Sequence, residues 1–239
     1  MRTGSNRFGV LMCFALLTAI GQAQQHALKA HVDLTRNGHR LKDASKAVVW
    51  LTPVGTPVDP PQQNSSQIPQ LVQKNKSFQP SLIVIPVGGK VEFPNHDPFF
   101  HNVFSLFEGK RFDLGLYESG TTRFVQFDKP GISYIFCNIH AEMSAVVIAL
   151  ATPYYAISDA RGDVSIPNVP PGRYQMQIFH AAVPTDTLRA VNREITVGPD
   201  DGTLGNISLA ESDIVVAHKN KYGRDYDRPD PDSPAYARP

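Results

Sequence analysis

The sequence predicts an all-β chain built as two β-sandwiches in series. Three observations carry this. No stretch sustains the period of an amphipathic helix. Short apolar or alternating runs recur at roughly 8–12-residue spacing, the rhythm of sandwich strands. The 20 prolines and 17 glycines among 239 residues supply turns and interrupt helices. Net charge is +1, so charge gives no reason to expect nucleic acid or an anionic membrane as the partner.

The N-terminal segment MRTGSNRFGVLMCFALLTAIGQAQQ places Arg2 and Arg7 before an apolar run from Phe8 to Ile20. Small residues follow at Gly21-Gln22-Ala23. This is the pattern of a secretory signal peptide over 1–23, with cleavage after Ala23 and a periplasmic or secreted destination. The run falls short of the ~20 residues that span a bilayer, so no stable membrane insertion is expected after cleavage. Cys13 lies within the apolar run, without a small-residue lipobox before it. Its removal leaves Cys137 as the single cysteine of the exported chain. A lone exported cysteine is a buried thiol, an intermolecular link or a functional thiolate.

Residues 27–55 contain two strand-like runs, ALKAHVDL and KAVVWLTP, joined through the hairpin signal Asn37-Gly38. They read as extra or edge strands of the first sandwich. Residues 56–68 form a polar Pro/Gln/Ser loop. Residues 69–150 are the core of that sandwich. SLIVIPVGGKVEFPN gives two strands about Val-Gly-Gly, HNVFSLF alternates, and RFDLGLYESGTTRFVQFDKPG gives a pair about Ser119-Gly120. ISYIFC then leads into Cys137, and SAVVIALA leaves it as a buried closing strand. Residues 152–210 form a smaller sandwich with turns at 159–162 and 170–172. Tyr174, Met176 and Ile178 mark its buried face. Residues 218–239, charged and proline-rich with almost no aliphatic side chains, are expected to be a disordered tail.

The chemistry lies in FCNIHAEMSA. Cys137, His140 and Met143 offer a thiolate, an imidazole and a thioether from one loop at a strand end. NHDPFFHNVFS offers a second imidazole, His101, at a turn between strands. Two histidines, one cysteine and a weak axial methionine make the donor set of blue-copper sites. Zinc fits less well, because its structural sites favour four strong N/S donors. A dinuclear copper site would need a second cysteine. His96 and Asp97-Pro98 read as turn residues, and Glu142 as solvent-facing. Phe99 and Phe100 read either as core or as an apolar rim beside the metal for docking a redox partner protein. His26, His31, His39, His180 and His218 have no ligand-like spacing and read as surface or strand residues.

Residues 82–150 resemble a cupredoxin. The Cys137, His140 and Met143 spacing is similar to that of amicyanin, and Tyr134 and Phe136 resemble the strand leading into the family's ligand cysteine. The resemblance implies a Greek-key sandwich over 27–150 holding one Cu(I)/Cu(II) ion. It implies that Asn102 braces the two ligand loops and donates its backbone N–H to the cysteine sulfur. The string IPVGGKVEFPNHDPFFHNVFSL resembles exported methylamine-utilisation or plastocyanin-like proteins. GDVSIPNVPPGRY resembles the carboxypeptidase-regulatory-like (transthyretin-like) sandwich that follows in such proteins. The family carries proline where this chain has Ile139. Isoleucine restores an N–H near the thiolate, and a lower potential than that of a proline variant is expected.

The function these residues point to is one-electron transfer by an exported type 1 copper protein. Copper binding or delivery without electron transfer is one alternative, and a non-metal interaction module is the other. No nucleophile elbow, phosphate-cradling glycine loop or metalloprotease helix occurs, so an enzyme is not expected.

Overall fold

The computed structural model describes residues 27–55, 58–59, 61–63, 66–106, 109–212 and 218–226. The expected signal peptide and residues 227–239 of the expected tail lie outside these. The chain begins with β1 (Leu28–Arg36), β2 (His39–Arg40) and β3 (Val48–Pro53). It continues through β4 (Val72–Lys74), β5 (Ser77–Gln79), β6 (Leu82–Pro86), β7 (Lys90–Pro94), β8 (His101–Ser105) and β9 (Phe112–Tyr117). Next come β10 (Thr122–Gln126), β11 (Gly131–Cys137), β12 (Ser144–Leu150), β13 (Tyr155–Ile157), β14 (Asp163–Ile166) and β15 (Gly172–Phe179). The helix α1 (Thr185–Val191), β16 (Arg193–Val197) and β17 (Thr203–Ala210) follow. The architecture is all-β, with several sheets.

One sheet has the order β6-β12-β11-β8-β9, and β10 pairs with β7 opposite it. The β4–β5 hairpin joins that second layer through the bridge Gln73↔Asn95. Val91, Phe93, Phe127, Ile135 and Val147 fill the space between, together with Cys137 and Met143. The turn at Ser119-Gly120 does not close a hairpin. β9 pairs with β8 and β10 with β7, so the turn carries the chain from one layer to the other.

The other sandwich corrects the expected boundaries. Its two sheets have the orders β14-β1-β17, with β2 on β1, and β13-β3-β15-β16. Residues 27–55 are therefore not edge strands of the metal-bearing unit. β1 and β3 are interior strands of the second sandwich, and the unit from β4 to β12 is inserted between β3 and β13. The physical reason is burial. Val48, Val49, Trp50 and Leu51 are all buried, and with β13 on one side and β15 on the other the backbone of β3 finds the partners that an edge strand would lack. Asn37 and Gly38 have φ of 50° and 76°, the left-handed pair that a two-residue hairpin of this kind requires.

β12 joins the two units. Ala145, Val147 and Ala149 face the core of the metal-bearing unit. Val146, Ile148 and Leu150 face the core of the other. A strand buried on both faces reads as a continuous apolar run, and SAVVIAL does. Leu82 and Val84 of β6 and Ile132 and Tyr134 of β11 also pack against the second core. The sheet is thus a wall shared by both sandwiches.

Two further elements depart from expectation. α1 is seven residues long with only Leu188 buried, too short to register as a period. Asn192 just beyond it accepts the Ile178 N–H at 3.0 Å, which anchors the helix to β15. Residues 218–226, expected as disordered tail, lie against the metal-bearing unit.

Because β12 serves both cores, Val147→Ala is expected to lower stability by ~2 kcal/mol. The denaturant transition of Trp50 fluorescence should move with it, although Trp50 lies in the other core. An unmoved Trp50 transition would mean that the sandwiches unfold independently.

Candidate metal centre

β8 and β11 run antiparallel, with Cys137 opposite Val103 and Phe136 opposite Phe104. This sets the start of β8, His101, beside the end of β11, Cys137. The chain then turns on its own backbone. The Met143 N–H donates to the His140 carbonyl at 3.1 Å, and the Cys137 N–H to the Met143 carbonyl at 3.2 Å. The Asn138 N–H reaches the Asn102 carbonyl at 2.9 Å and ties the loop to β8. His140 is thereby folded back over the strand end.

The result is a buried cluster. The ligand atoms of His101, Cys137 and His140 all lie within 4.8 Å of one another. Cys137 Sγ is 3.6 Å from His101 Nδ1 and 3.6 Å from His140 Nδ1. Met143 is wholly buried in the same apolar cluster as Cys137. The separations fit a shared ion. With metal–nitrogen and metal–sulfur bonds of ~2.0 and ~2.3 Å at a trigonal angle of ~120°, sulfur and nitrogen stand about 3.7 Å apart.

Asp97, in the turn before β8, fixes the first imidazole. Asp97 Oδ2 lies 2.9 Å from His101 Nε2. A carboxylate can only accept, so Nε2 carries the proton and the Nδ1 lone pair is turned toward Cys137. Asp97 is itself held. The backbone N–H groups of Asn75 and Lys76 donate to its two oxygens at 2.6 and 2.9 Å. Both residues have positive φ, 55° and 54°, and form the tip of the β4–β5 hairpin. The hairpin, whose three-residue strands are too short to show a period, thus orients His101 through one carboxylate. Burial alone would raise the Asp97 carboxyl, but the Lys76 N–H, His101 and the Asn75 N–H together hold it below its usual range. An acid four residues before the histidine was the signal available.

Burial governs the remaining charges. It pushes the Cys137 thiol up, against hydrogen bonds to the sulfur from the backbone N–H groups of Asn102, Ile139 and His140. It pushes His101 down, against the pull of Asp97. It takes His140 to about 4, with the neighbouring His101 adding to the shift. Both imidazoles thus favour the neutral form that a metal needs.

The remaining predicted residues take these places. The backbone of Asn102 both bonds the sulfur and accepts from Asn138, while its side-chain Nδ2 donates to Asp113 Oδ1 at 2.6 Å. Ile139 presents its N–H to the sulfur, and its side chain leans on the core. The half-buried Phe99 ring stands 5.3 Å from His101 and 5.5 Å from His140, centroid to centroid. Phe100 is 51% exposed, so it is rim and not core. His96 and Glu142 face solvent. His180 is buried, and His218 stacks on Phe136, so neither is a plain surface residue.

No family model and no curated protein matches this chain. Among solved structures it is similar to a purple cupredoxin from Nitrosopumilus maritimus, at 22% identity and TM-score 0.31, over 34% of this chain and 99% of that one. It is similar to a copper-containing nitrite reductase from Thermus scotoductus, at 22% identity and TM-score 0.35, over 50% of this chain and 28% of that one. It is also similar to an amicyanin variant in its oxidised state, at 13% identity and TM-score 0.34, over 43% of this chain and 98% of that one. At these values the functional reading rests on the site's own geometry.

In the metal-free protein the His140 ring is expected to titrate near 4, read by NMR of its ring protons. The sign follows from linkage. Between the ordinary value of 6.5 and about 4, the unfolded chain binds the proton that the folded one refuses. Stability of the metal-free protein should therefore fall as pH drops through that window, and His101 adds in the same direction. Flat stability across it would contradict the burial argument.

Proposed function

We propose that this chain is an exported mononuclear type 1 copper protein that passes single electrons, as a soluble carrier or a docked relay. His101, Cys137 and His140 would hold the ion, with the Met143 thioether as a further, weaker donor. The observation that supports this most is the pair of equal Sγ–Nδ1 separations, 3.6 Å each, with the His101 lone pair turned inward by Asp97. Bound there, copper would supply a one-electron couple between Cu(II) and Cu(I).

The chain's residues supply the rest. Thiolate and thioether suit the reduced ion and imidazole suits both states. β8, the β4–β5 hairpin and the hydrogen-bonded loop hold these donors in fixed places, so little rearrangement would accompany a change of state. Burial of His101, Cys137, His140 and Met143 keeps water out. It also favours retention over delivery, because no donor is exposed for a receiving protein to displace. Four donors from the chain leave no position for a substrate, which favours a carrier over an enzyme. Phe99 covers both imidazoles, and the exposed Phe100 beside it would give a redox partner protein an apolar place to dock. The second sandwich, carboxypeptidase-regulatory-like by resemblance, would support the metal-bearing unit or bind a partner.

The chemistry of a hydrogen bond to a thiolate argues for the opposite of the lower potential expected for isoleucine. The Ile139 N–H is one of three backbone donors to the Cys137 sulfur. Such bonds draw electron density from the thiolate, weaken its donation to the oxidised ion and so favour the reduced one. Relative to proline, isoleucine at this position should raise the potential.

Three outcomes test the reading. Copper-loaded protein should show the intense visible thiolate-to-copper band. Cys137→Ser should abolish it while leaving Trp50 fluorescence and the strand signal intact; binding of Cu(II) without the band would sink the electron-transfer assignment. Asp97→Asn, which removes the anionic partner of His101, should weaken copper affinity by about 10–100-fold in a chelator competition. Voltammetry of Ile139→Pro should show a downward shift, and an upward one would refute the hydrogen-bond argument.

A further inference from the structure

Residues 218–226 contain no aliphatic side chain to anchor them in a core. They nevertheless lie on the ligand loop, and their contacts converge there. Tyr226 OH donates to the Cys137 carbonyl at 2.7 Å. The His218 ring stacks on Phe136, with centroids 4.0 Å apart and planes 25° apart. The Lys221 N–H donates to Asn138 Oδ1 at 2.9 Å. Lys221 Nζ pairs with Asp113 Oδ2 at 2.7 Å, and the other oxygen of Asp113 accepts from Asn102 Nδ2. The segment thus touches three consecutive residues at the start of the loop, and through Asp113 it reaches the neighbour of His101.

The segment is shaped for these contacts. Asn220 Oδ1 accepts the N–H groups of both Tyr222 and Arg224 at 3.0 Å. Asn220 and Arg224 also bond backbone to backbone, across a turn that uses Gly223 at φ 75°. The proton order is also fixed. Tyr226 spends its one proton on the Cys137 carbonyl, so the His218 Nδ1 at 3.1 Å must donate to the phenol oxygen. A directed chain therefore runs from His218 through Tyr226 to the backbone of the ligand cysteine. The rings close around it: Tyr226 meets His218 edge-on at 5.1 Å.

We propose that residues 218–226 are a clasp on the ligand loop, with Tyr226 as its positioning residue, and that metal retention depends on this clasp. The clasp itself rests only on the contacts above; its effect on metal rests on the copper reading. In this loop Asn138 is polar and Ala141 and Glu142 are exposed, so only Ile139, His140 and Met143 hold it to the core. Such segments open locally, and what they bind escapes in proportion to the population of the open form. The phenol holds the backbone at the residue where β11 ends and the loop begins.

Tyr226→Phe in the full chain keeps the ring and removes only the hydroxyl. In the metal-free variant, hydrogen exchange at the Asn138 and Met143 amides should be about five-fold faster, the effect of one lost hydrogen bond. Exchange at Leu51, whose amide bonds the Tyr154 carbonyl in the other sandwich, should not change. Loaded with copper and reduced, the variant should release Cu(I) to a competing chelator about five-fold faster, and its visible band should shift when reoxidised. Lys221→Met should act in the same direction through Asp113. Arg224→Ala, whose exposed side chain makes no hydrogen bond or ion pair with the loop among the described residues, should behave as the parent. Unchanged loop exchange in both Tyr226→Phe and Lys221→Met overturns the clasp. Equal acceleration at Leu51 and in the loop also overturns it, since Tyr226 would then serve global stability alone. A parent chain that takes up no copper, with loop exchange still accelerated by Tyr226→Phe, removes the copper reading and leaves the clasp standing.

Discussion

The structure depends on β12 being buried on both faces. Six of its seven residues divide between two cores, so neither sandwich is complete without the sheet that carries β12. That sheet also carries β8 and β11, whose ends hold His101 and Cys137. Packing in the second sandwich therefore fixes the plane from which the candidate ligands project. Beyond this wall the site is set by a few directed hydrogen bonds. One carboxylate chooses the tautomer of His101, three backbone N–H groups address the sulfur, and two backbone bonds close the loop around His140.

These features reinforce one another through dryness. Burial lowers the basicity of both imidazoles and raises the thiol. It therefore leaves the nitrogens ready to bind a metal and the sulfur reluctant to ionise. The N–H groups of Asn102, Ile139 and His140 offset part of that reluctance, and a cation between the donors would remove the rest. Asp97 adds a negative charge one shell away without approaching the sulfur, and its own charge is secured by the hairpin tip. The arrangement is coherent for a cation and costly without one.

Much of this was legible in the sequence, for identifiable reasons. The loop from Cys137 to Met143 is local, so spacing alone presents its donors together, and His101 was found because a strand-edge turn brings it near. Alternation exposed the buried face of β15, and Asn37-Gly38 announced its hairpin. What stayed hidden is non-local. No period in KAVVWLTP says that its strand pairs with β13 and β15 across an inserted unit. The strands of the β4–β5 hairpin are too short to alternate visibly, so its grip on Asp97 could not be seen. The segment from His218 to Tyr226 looks disordered by composition, because its anchoring comes from rings and polar contacts instead of aliphatic burial.

The inserted topology also bears on how the molecule is made. Thr35 and Leu209 are hydrogen-bonded although they are 174 residues apart in sequence. As the chain emerges from its N-terminus, β1, paired only with the two-residue β2, and β3 wait for their later partners while the whole metal-bearing unit is produced. That unit pairs only within itself and can assemble first, but one face of its β12 stays bare until the last strands arrive. For that interval the nascent protein carries two strands short of their partners and an apolar wall, the kind of surface that invites chaperones or aggregation. The second sandwich is therefore the slow, high-contact-order step, and its closure marks the moment the protein becomes safe to leave unattended.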